Sequence, residues 1–255
     1  MSPRVRLCLF LAGIAGLVAC YLWALRGMSA FGHYPGPYGP AVLRNAIAQT
    51  RATGVVSAVN FSYRGFDTVG EEFILFTAAA GMSVVLRRLR GERESGREAP
   101  EGDNSKKRTT SAAVRVPALL LAGPTVLVGW WLASHAQTNP SGGFQGGVVL
   151  STAFVLVYLS GEFLAFRRLS PVALLDAVEA IGAAGFALVG LTAVLMGLPY
   201  LYNFIPLGQV PGAVSSGGVI PVISFFVGLE VAAAFTAIIG EFLEQTLLVR
   251  VRREG

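Results

Sequence analysis

Six stretches of this 255-residue chain are long and apolar enough to cross a lipid bilayer, and no other feature limits its fold as strongly. The hydrocarbon core of a bilayer is about 30 Å thick, so a helix rising about 1.5 Å per residue needs about 20 mostly apolar residues to span it. Runs of this kind are read at Leu7–Leu25, Val69–Leu86, Val116–Ser134, Gly146–Phe166, Val172–Leu195 and Gly218–Leu248. Lipid offers no hydrogen bonds, so each run must bond its own backbone and is expected to be a helix. The expected fold is therefore all-α, a polytopic membrane protein of about six transmembrane helices. The last run exceeds one bilayer thickness and must tilt or extend past the membrane. Composition agrees: only 14% of residues are charged, against about 25% in an average soluble domain.

The net charge of +5 is not one basic patch. Arg and Lys sit in short clusters between the apolar runs, as they do on the cytoplasmic side of membrane proteins, so the expected surroundings are a lipid bilayer and not nucleic acid. With the N-terminus inside, all but Arg26, Arg44, Arg51 and Arg64 of the 20 Lys and Arg residues fall on the cytoplasmic side. The expected orientation is N-in, C-in, in the inner (plasma) membrane of the cell. Leu17-Val18-Ala19-Cys20 resembles a lipoprotein cleavage box, but the apolar run continues through Tyr21-Leu22-Trp23-Ala24-Leu25, so an uncleaved anchor is expected. Cys8 and Cys20, the only cysteines, both lie in that run. No Cys/His spacing suits zinc or an iron–sulfur cluster, and no metal or cofactor is expected.

Between the first two spans, Ala41–Gln49 reads as a short helix. Val55–Phe61 is apolar but too short to cross, so it either lies in the interface or dips into the protein. Residues 87–115 mix both charge signs without apolar periodicity, which reads as a linker. The chain is thus expected to divide into a two-span module (1–95), a charged cytoplasmic linker (96–114) and a four-span domain (115–255).

Three constellations can carry chemistry. The first is Arg64-Gly65-Phe66-Asp67-Thr68-Val69-Gly70-Glu71-Glu72, where an outer loop meets the second span. Thr68 and Glu71 have the spacing of a capping box, and acids suit the positive end of a helix dipole. Capping leaves Glu72 unexplained, because it points to another face; an acid at membrane depth is a candidate ion or proton ligand. The second is Asn139-Pro140-Ser141-Gly142-Gly143-Phe144-Gln145-Gly146-Gly147. It follows no βαβ strand and lacks the lysine of a phosphate loop, so it is no nucleotide motif. Gly142/Gly146 and Gly143/Gly147 are overlapping small-xxx-small pairs that favour close helix packing, and Pro140 with the glycines also suits a broken helix start that could meet an ion.

The third is the set of acids inside apolar runs: Glu162, Asp176, Glu179, Glu230 and Glu241. A charge at the bilayer centre costs about 2.5–3.5 kcal/mol on insertion scales, so each needs a partner or a proton. Glu162, Asp176 and Glu179 lie close in sequence to Arg167 and Arg168, and a local salt-bridge cluster is expected there. Glu230 has no basic residue within two turns; it is either a proton carrier or a neutral acid bonded to a neighbouring helix. His135 reads as structural, His33 lies in a Pro/Gly loop, and no Ser/His/Asp or Cys/His arrangement supports hydrolysis.

Asn60 through Gly81, with Arg64-Gly65-Phe66-Asp67-Thr68-Val69-Gly70-Glu71, resembles the C-terminal region of the large MrpA subunit of Mrp-type sodium/proton antiporters. It is also similar to the small separate subunit that replaces that region in membrane-bound hydrogenases. From about residue 115 onward the chain resembles the MnhB/MrpB family, whose Pro-Gly-Gly-Gly-Phe-x-Gly-Gly run is matched by Pro140 to Gly147. Departures are Ser141 in place of a glycine, Gln137 and Thr138 where antiporter versions carry His, and Glu72 as an additional acid. Gln145 and Gly228-Leu229-Glu230 are closer to hydrogenase-associated versions. The resemblance implies a subunit of a multi-protein Na⁺ and H⁺ translocating assembly, unable to transport alone, in which Asp67 and Glu71 line the ion path.

Three function classes follow as expectations. One is a subunit of an Mrp-type monovalent cation/proton antiporter, with Asp67, Glu71, Glu72 and Glu230 on the path. Another is a membrane-arm subunit of a hydrogenase-like redox complex. The last is a structural scaffold, which would tolerate Glu230→Gln yet fail when Gly143 or Gly147 becomes Leu.

Overall fold

The computed structural model describes residues 3–28, 32, 36–94, 111–138 and 140–254. Most of the expected linker, residues 96–110, and His33 and Asn139 lie outside the described residues. Among those described there are eight α-helices: α1 (Pro3–Arg26), α2 (Tyr38–Thr50), α3 (Val55–Ala58), α4 (Gly65–Glu94), α5 (Ala112–Ser134), α6 (Gly143–Leu169), α7 (Val172–Leu195) and α8 (Ile220–Glu254). Six of them (α1 and α4 to α8) are long and apolar enough to cross a membrane. The protein is thus an all-α polytopic membrane protein.

Two compact units are present, Met1–Ala41 and Val42–Gly255. The first holds α1, whose stretch from Leu7 to Leu25 is apolar on every face, the pattern of a helix surrounded by lipid or apolar protein. The second holds the remaining spans on both sides of the charged segment.

In the second unit α8 is the hub, packed against α4, α5, α6 and α7. Its apolar residues Ile220, Ile223, Val227 and Val231 recur every three or four positions, which aligns them along one face. All four are buried, in a core shared with Val42 and Ala46 of α2, Phe61 and Phe186. Phe61 meets Phe186 edge to face at 6.4 Å, an arrangement aromatic quadrupoles favour.

Glycines set how closely α8 is approached. A Cβ at Gly143 of α6 would collide with the Ser224 carbonyl, and one at Gly147 would stand 2.6 Å from Val231 Cβ. On the neighbouring face, Gly146 meets Ala133 N at 2.5 Å by the same measure, and Gly129 of α5 meets Leu150 Cγ at 2.7 Å. Helix α6 starts at Gly143, after Pro140 and an extended Gly142. The glycine run thus forms a seam on which α5, α6 and α8 meet at backbone distance.

The segment before α4 is drawn into the protein. Helix α3 passes into a π-helical turn, Val59–Tyr63, closed by Arg64 N–H donating to the Val59 carbonyl at 2.8 Å. Ser57, Ala58 and Phe61 are buried. Its start is tied to the α5–α6 connection: Thr53 N–H donates to the Gln137 carbonyl at 2.8 Å, and Ser57 Oγ donates to the Ser141 carbonyl at 2.6 Å. Within Val55–Phe61 the side chains of Ser57, Ala58 and Phe61 point into the protein, while Val56 and Asn60 are exposed.

Candidate functional site

Three spans, α4, α7 and α8, bring acids to one place. The sequence Thr68-x-x-Glu71 was expected to cap α4, but the helix begins three residues earlier, at Gly65. Thr68 Oγ1 instead donates to the Asn60 carbonyl at 2.7 Å, joining α4 to the π-helical turn. The capping box does not form, because the turn ending at Arg64 already launches the helix. Glu71 then projects from the second turn, exposed. Asp67 is held apart from the other acids: Arg64 Nε donates to its Oδ2 at 2.6 Å, and both side chains are about half exposed (59% and 49%).

Glu72 takes the inward face. It is 5% exposed, and Glu230 of α8 is fully buried. The two carboxyls adjoin where α4 packs on α8, close enough to interact electrostatically. Neither oxygen of Glu230, nor Oε2 of Glu72, has a hydrogen-bond partner among the described residues.

Glu179 of α7 is the third member. Gly182 lets α7 approach α8 so closely that a Cβ there would stand 2.6 Å from the Glu230 backbone nitrogen. Glu179, three residues earlier, shares the face of Gly182 one turn along and interacts electrostatically with Glu230. It is 6% exposed, and its Oε1 lacks a hydrogen-bond partner. The expected salt-bridge cluster with Arg167 and Arg168 is therefore corrected for Glu179. Arg167 turns to α8 and donates to Glu244 at 2.8 Å, with its guanidinium also over the Phe163 ring. The side chain of Glu162 lies outside the described residues.

Beside Glu71 and Glu72 is a cavity of about 270 Å³, lined also by Ser57, Asn60, Thr68 and Ser141. The Ser141 hydroxyl is buried there without a partner. Its walls come from both halves of the sequence, the π-helical turn and α4 on one side and the start of α6 on the other. Pro140 and Gly142 position this start, and Gly142 packs against the Phe61 ring at 3.7 Å from where a Cβ would sit.

Other residues support the site from outside the spans. Gln137 is fully buried; its Nε2 donates to the Val214 carbonyl at 3.1 Å. Asn203 accepts from Val219 N–H at 2.8 Å and donates to the Gly217 carbonyl at 3.1 Å, fixing the start of α8. Tyr200 stacks edge to face on Phe66 at 6.4 Å, and burial pushes its phenol up from the ordinary range. His135 stacks on Trp131 at 5.6 Å and serves the end of α5.

Sequence reasoning named Glu72 and Glu230, assigned Glu179 to a salt-bridge cluster, and missed Ser57, Asn60 and the anchoring role of Gln137. For Glu179 a signal was present: an acid three residues before a glycine, on the face that glycine opens. Ser57, Asn60 and Gln137 gave no comparable signal, because their partners are backbone groups or cavity walls far away in sequence.

Residues 113–237 match the family described as a domain related to the MnhB subunit of Na⁺/H⁺ antiporter. Residues 113–237 thus carry an MnhB-type domain. An uncharacterized protein of Methanocaldococcus jannaschii is 28% identical over 197 residues, covering 71% of this chain and 73% of its own length. A probable K⁺/H⁺ antiporter subunit of Rhizobium meliloti is 30% identical over 134 residues, 47% of this chain but only 13% of that much longer protein. Among solved structures, a chain of the membrane-bound sulfane sulfur reductase, an archaeal respiratory membrane complex, aligns over 93% of this chain and 98% of its own, with TM-score 0.68 and 28% identity. A chain of the Mrp complex from Dietzia sp. DQ12-45-1b has the same fold over 94% of this MnhB-type chain and 26% of its own, with TM-score 0.65 and 23% identity. The MnhB match covers α5 to α7 and the first part of α8, and the two structural matches extend the likeness over nearly the whole chain.

Proposed function

We propose that this MnhB-type chain is a membrane subunit of a multi-subunit monovalent cation/proton antiporter, contributing to its ion path and its assembly. The observation that carries this reading is the burial of Glu72 and Glu230, two carboxyls on adjoining spans, the first of them lining a cavity with Ser57, Asn60 and Glu71. A scaffold that only packs helices has no use for a carboxyl pair at membrane depth, because each acid there lowers stability unless it is partnered or protonated. Asp67 and Glu71, exposed at the start of α4, supply negative charge that draws cations to the cavity. Glu72 and Glu230 continue inward as the buried part of the path. The glycine seam of Gly143, Gly146 and Gly147 holds α6 and α8 so that the cavity keeps its shape.

The test is antiport in inverted vesicles carrying the whole assembly. Replacing Glu71 by Gln is expected to lower cation-driven proton flux several-fold with the subunits still assembled; unchanged flux rejects the role of Glu71.

A second reading has its own support. The sulfane sulfur reductase chain is matched over nearly its full length, whereas the Mrp chain is matched over a quarter of its own. That favours the same ion-path module placed in the membrane arm of a redox complex, where other subunits perform electron transfer. Purification of the tagged chain separates the two readings: iron–sulfur or nickel–iron companions favour the redox complex, and antiporter companions alone favour the first.

A further inference from the structure

We infer that Glu72, Glu230 and Glu179 form one buried carboxyl relay that passes protons from α4 through α8 to α7, over roughly half of the membrane's hydrocarbon core and within this single chain. The direction of use rests on the ion-path reading above; the relay itself stands on its geometry.

The three acids descend in order. Glu72 lies seven residues past the start of α4, about 10 Å below that end at the helical rise. Glu230 lies ten residues into α8, about 15 Å down. Glu179 lies sixteen residues before the far end of α7, about 24 Å along that helix. Each step is set by a small residue or a shared face. Val227, which lines the cavity beside Glu72, is one turn above Glu230, and Gly182 admits Glu230 one turn from Glu179. Exposed acids continue the line at both ends, Glu71 beside the cavity and Asp176 one turn beyond Glu179 toward the arginine-bearing end. The described residues give none of the three buried acids a basic partner.

The contact of Glu72 with Glu230 has a chemical consequence. Two ionised carboxylates are both acceptors and cannot bond each other, and at such separation they repel too strongly for both to ionise. One proton held between them turns the contact into an O–H···O⁻ bond, among the stronger hydrogen bonds. In transfer, Glu72 gives its proton to the Glu230 carboxylate and becomes ionised itself. As Glu230 gives that proton to the Glu179 carboxylate, Glu72 takes a new proton from the cavity side, so the pair always holds one proton and is ready for the next transfer. The acidic side chains facing the trio are Glu71 on α4 and Asp176 on α7.

Two measurements on the purified whole assembly test this. Infrared difference spectra of wild type against the Glu72→Gln/Glu230→Gln double variant are expected to show the loss of one protonated-carboxyl C=O band at neutral pH. Identical spectra in that region overturn the shared proton. In inverted vesicles, Glu179→Gln is expected to cut proton flux about a hundredfold, the scale of a lost positioned proton-transfer group, while Glu179→Asp recovers much of it and both variants retain all subunits. Wild-type flux in an assembled Glu179→Gln complex overturns the relay. The two readings fail separately: flux lost in Glu179→Gln but kept in Glu71→Gln retains the relay and rejects the cavity path through Glu71.

Discussion

Helices α4 and α8 are both apolar spans, of 22 and 25 residues by composition, yet they live in different surroundings. More than half of the α8 span, 56%, is buried within the chain, against 11% of α4. Helix α8 is held on several sides by α5, α6 and α7, and its approach distances are set by Gly143, Gly147, Gly182 and Gly228. Helix α4 leaves Phe66, Ile74, Val84 and Val85 outward and turns little inward besides Thr68, Glu72 and Ala79. The difference lies in what each helix buries. A helix that buries so little of itself buries an acid, and it does so against the one helix that is rigidly framed. A framed partner keeps the Glu72 to Glu230 separation fixed, which a pair on two loosely packed helices would not do.

The largest expected effect breaks the frame. Gly143→Leu places a side chain against the Ser224 backbone carbonyl, which cannot move aside as a flexible side chain would, so the cost should exceed the roughly 1–3 kcal/mol of ordinary overpacking. Size-exclusion profiles and subunit recovery of the assembly should collapse; normal recovery would show that α6 and α8 do not depend on that seam. Gly81→Leu on α4, where an added side chain meets nothing within 4 Å, should leave the chain itself folded, measured by thermal unfolding of the tagged subunit. The contrast between the two glycines sharpens the comparison of framed and unframed helices.

Smaller effects map the cavity. Asp67→Asn removes one exposed partner of Arg64, worth about 0–1 kcal/mol as a surface pair, and should change flux less than Glu71→Gln does. Ser57→Ala deletes a bond to the Ser141 carbonyl and should lower stability by about 1 kcal/mol, seen as a small fall in unfolding temperature with the assembly intact.

Much of the fold was legible because bilayer thickness dictates span length, and all six spans appear at the expected places within a few residues. The start of α4 was not legible: the capping box at Thr68 and Glu71 is a local signal, and it lost to a π-helical turn that follows a segment, Thr53 to Ser57, anchored on Gln137 and Ser141 some 84 positions away. The acids at 72 and 230 stood out because charge in an apolar run is costly. Glu179 did not, because Arg167 and Arg168 offered a nearer explanation in sequence; the fold spends Arg167 on Glu244 instead. Proximity in sequence misled where the helix faces diverged.

The central claim is that the α4 to α8 contact lies on an ion or proton path, and Glu230 tests it most directly. Cation-driven proton flux should be measured in inverted vesicles carrying the whole assembly, with wild type, Glu230→Gln and Glu230→Asp at equal subunit content. The account predicts near-complete loss of flux in Glu230→Gln and partial flux in Glu230→Asp. Wild-type flux in a fully assembled Glu230→Gln complex would contradict it and leave the buried acids a purely structural role.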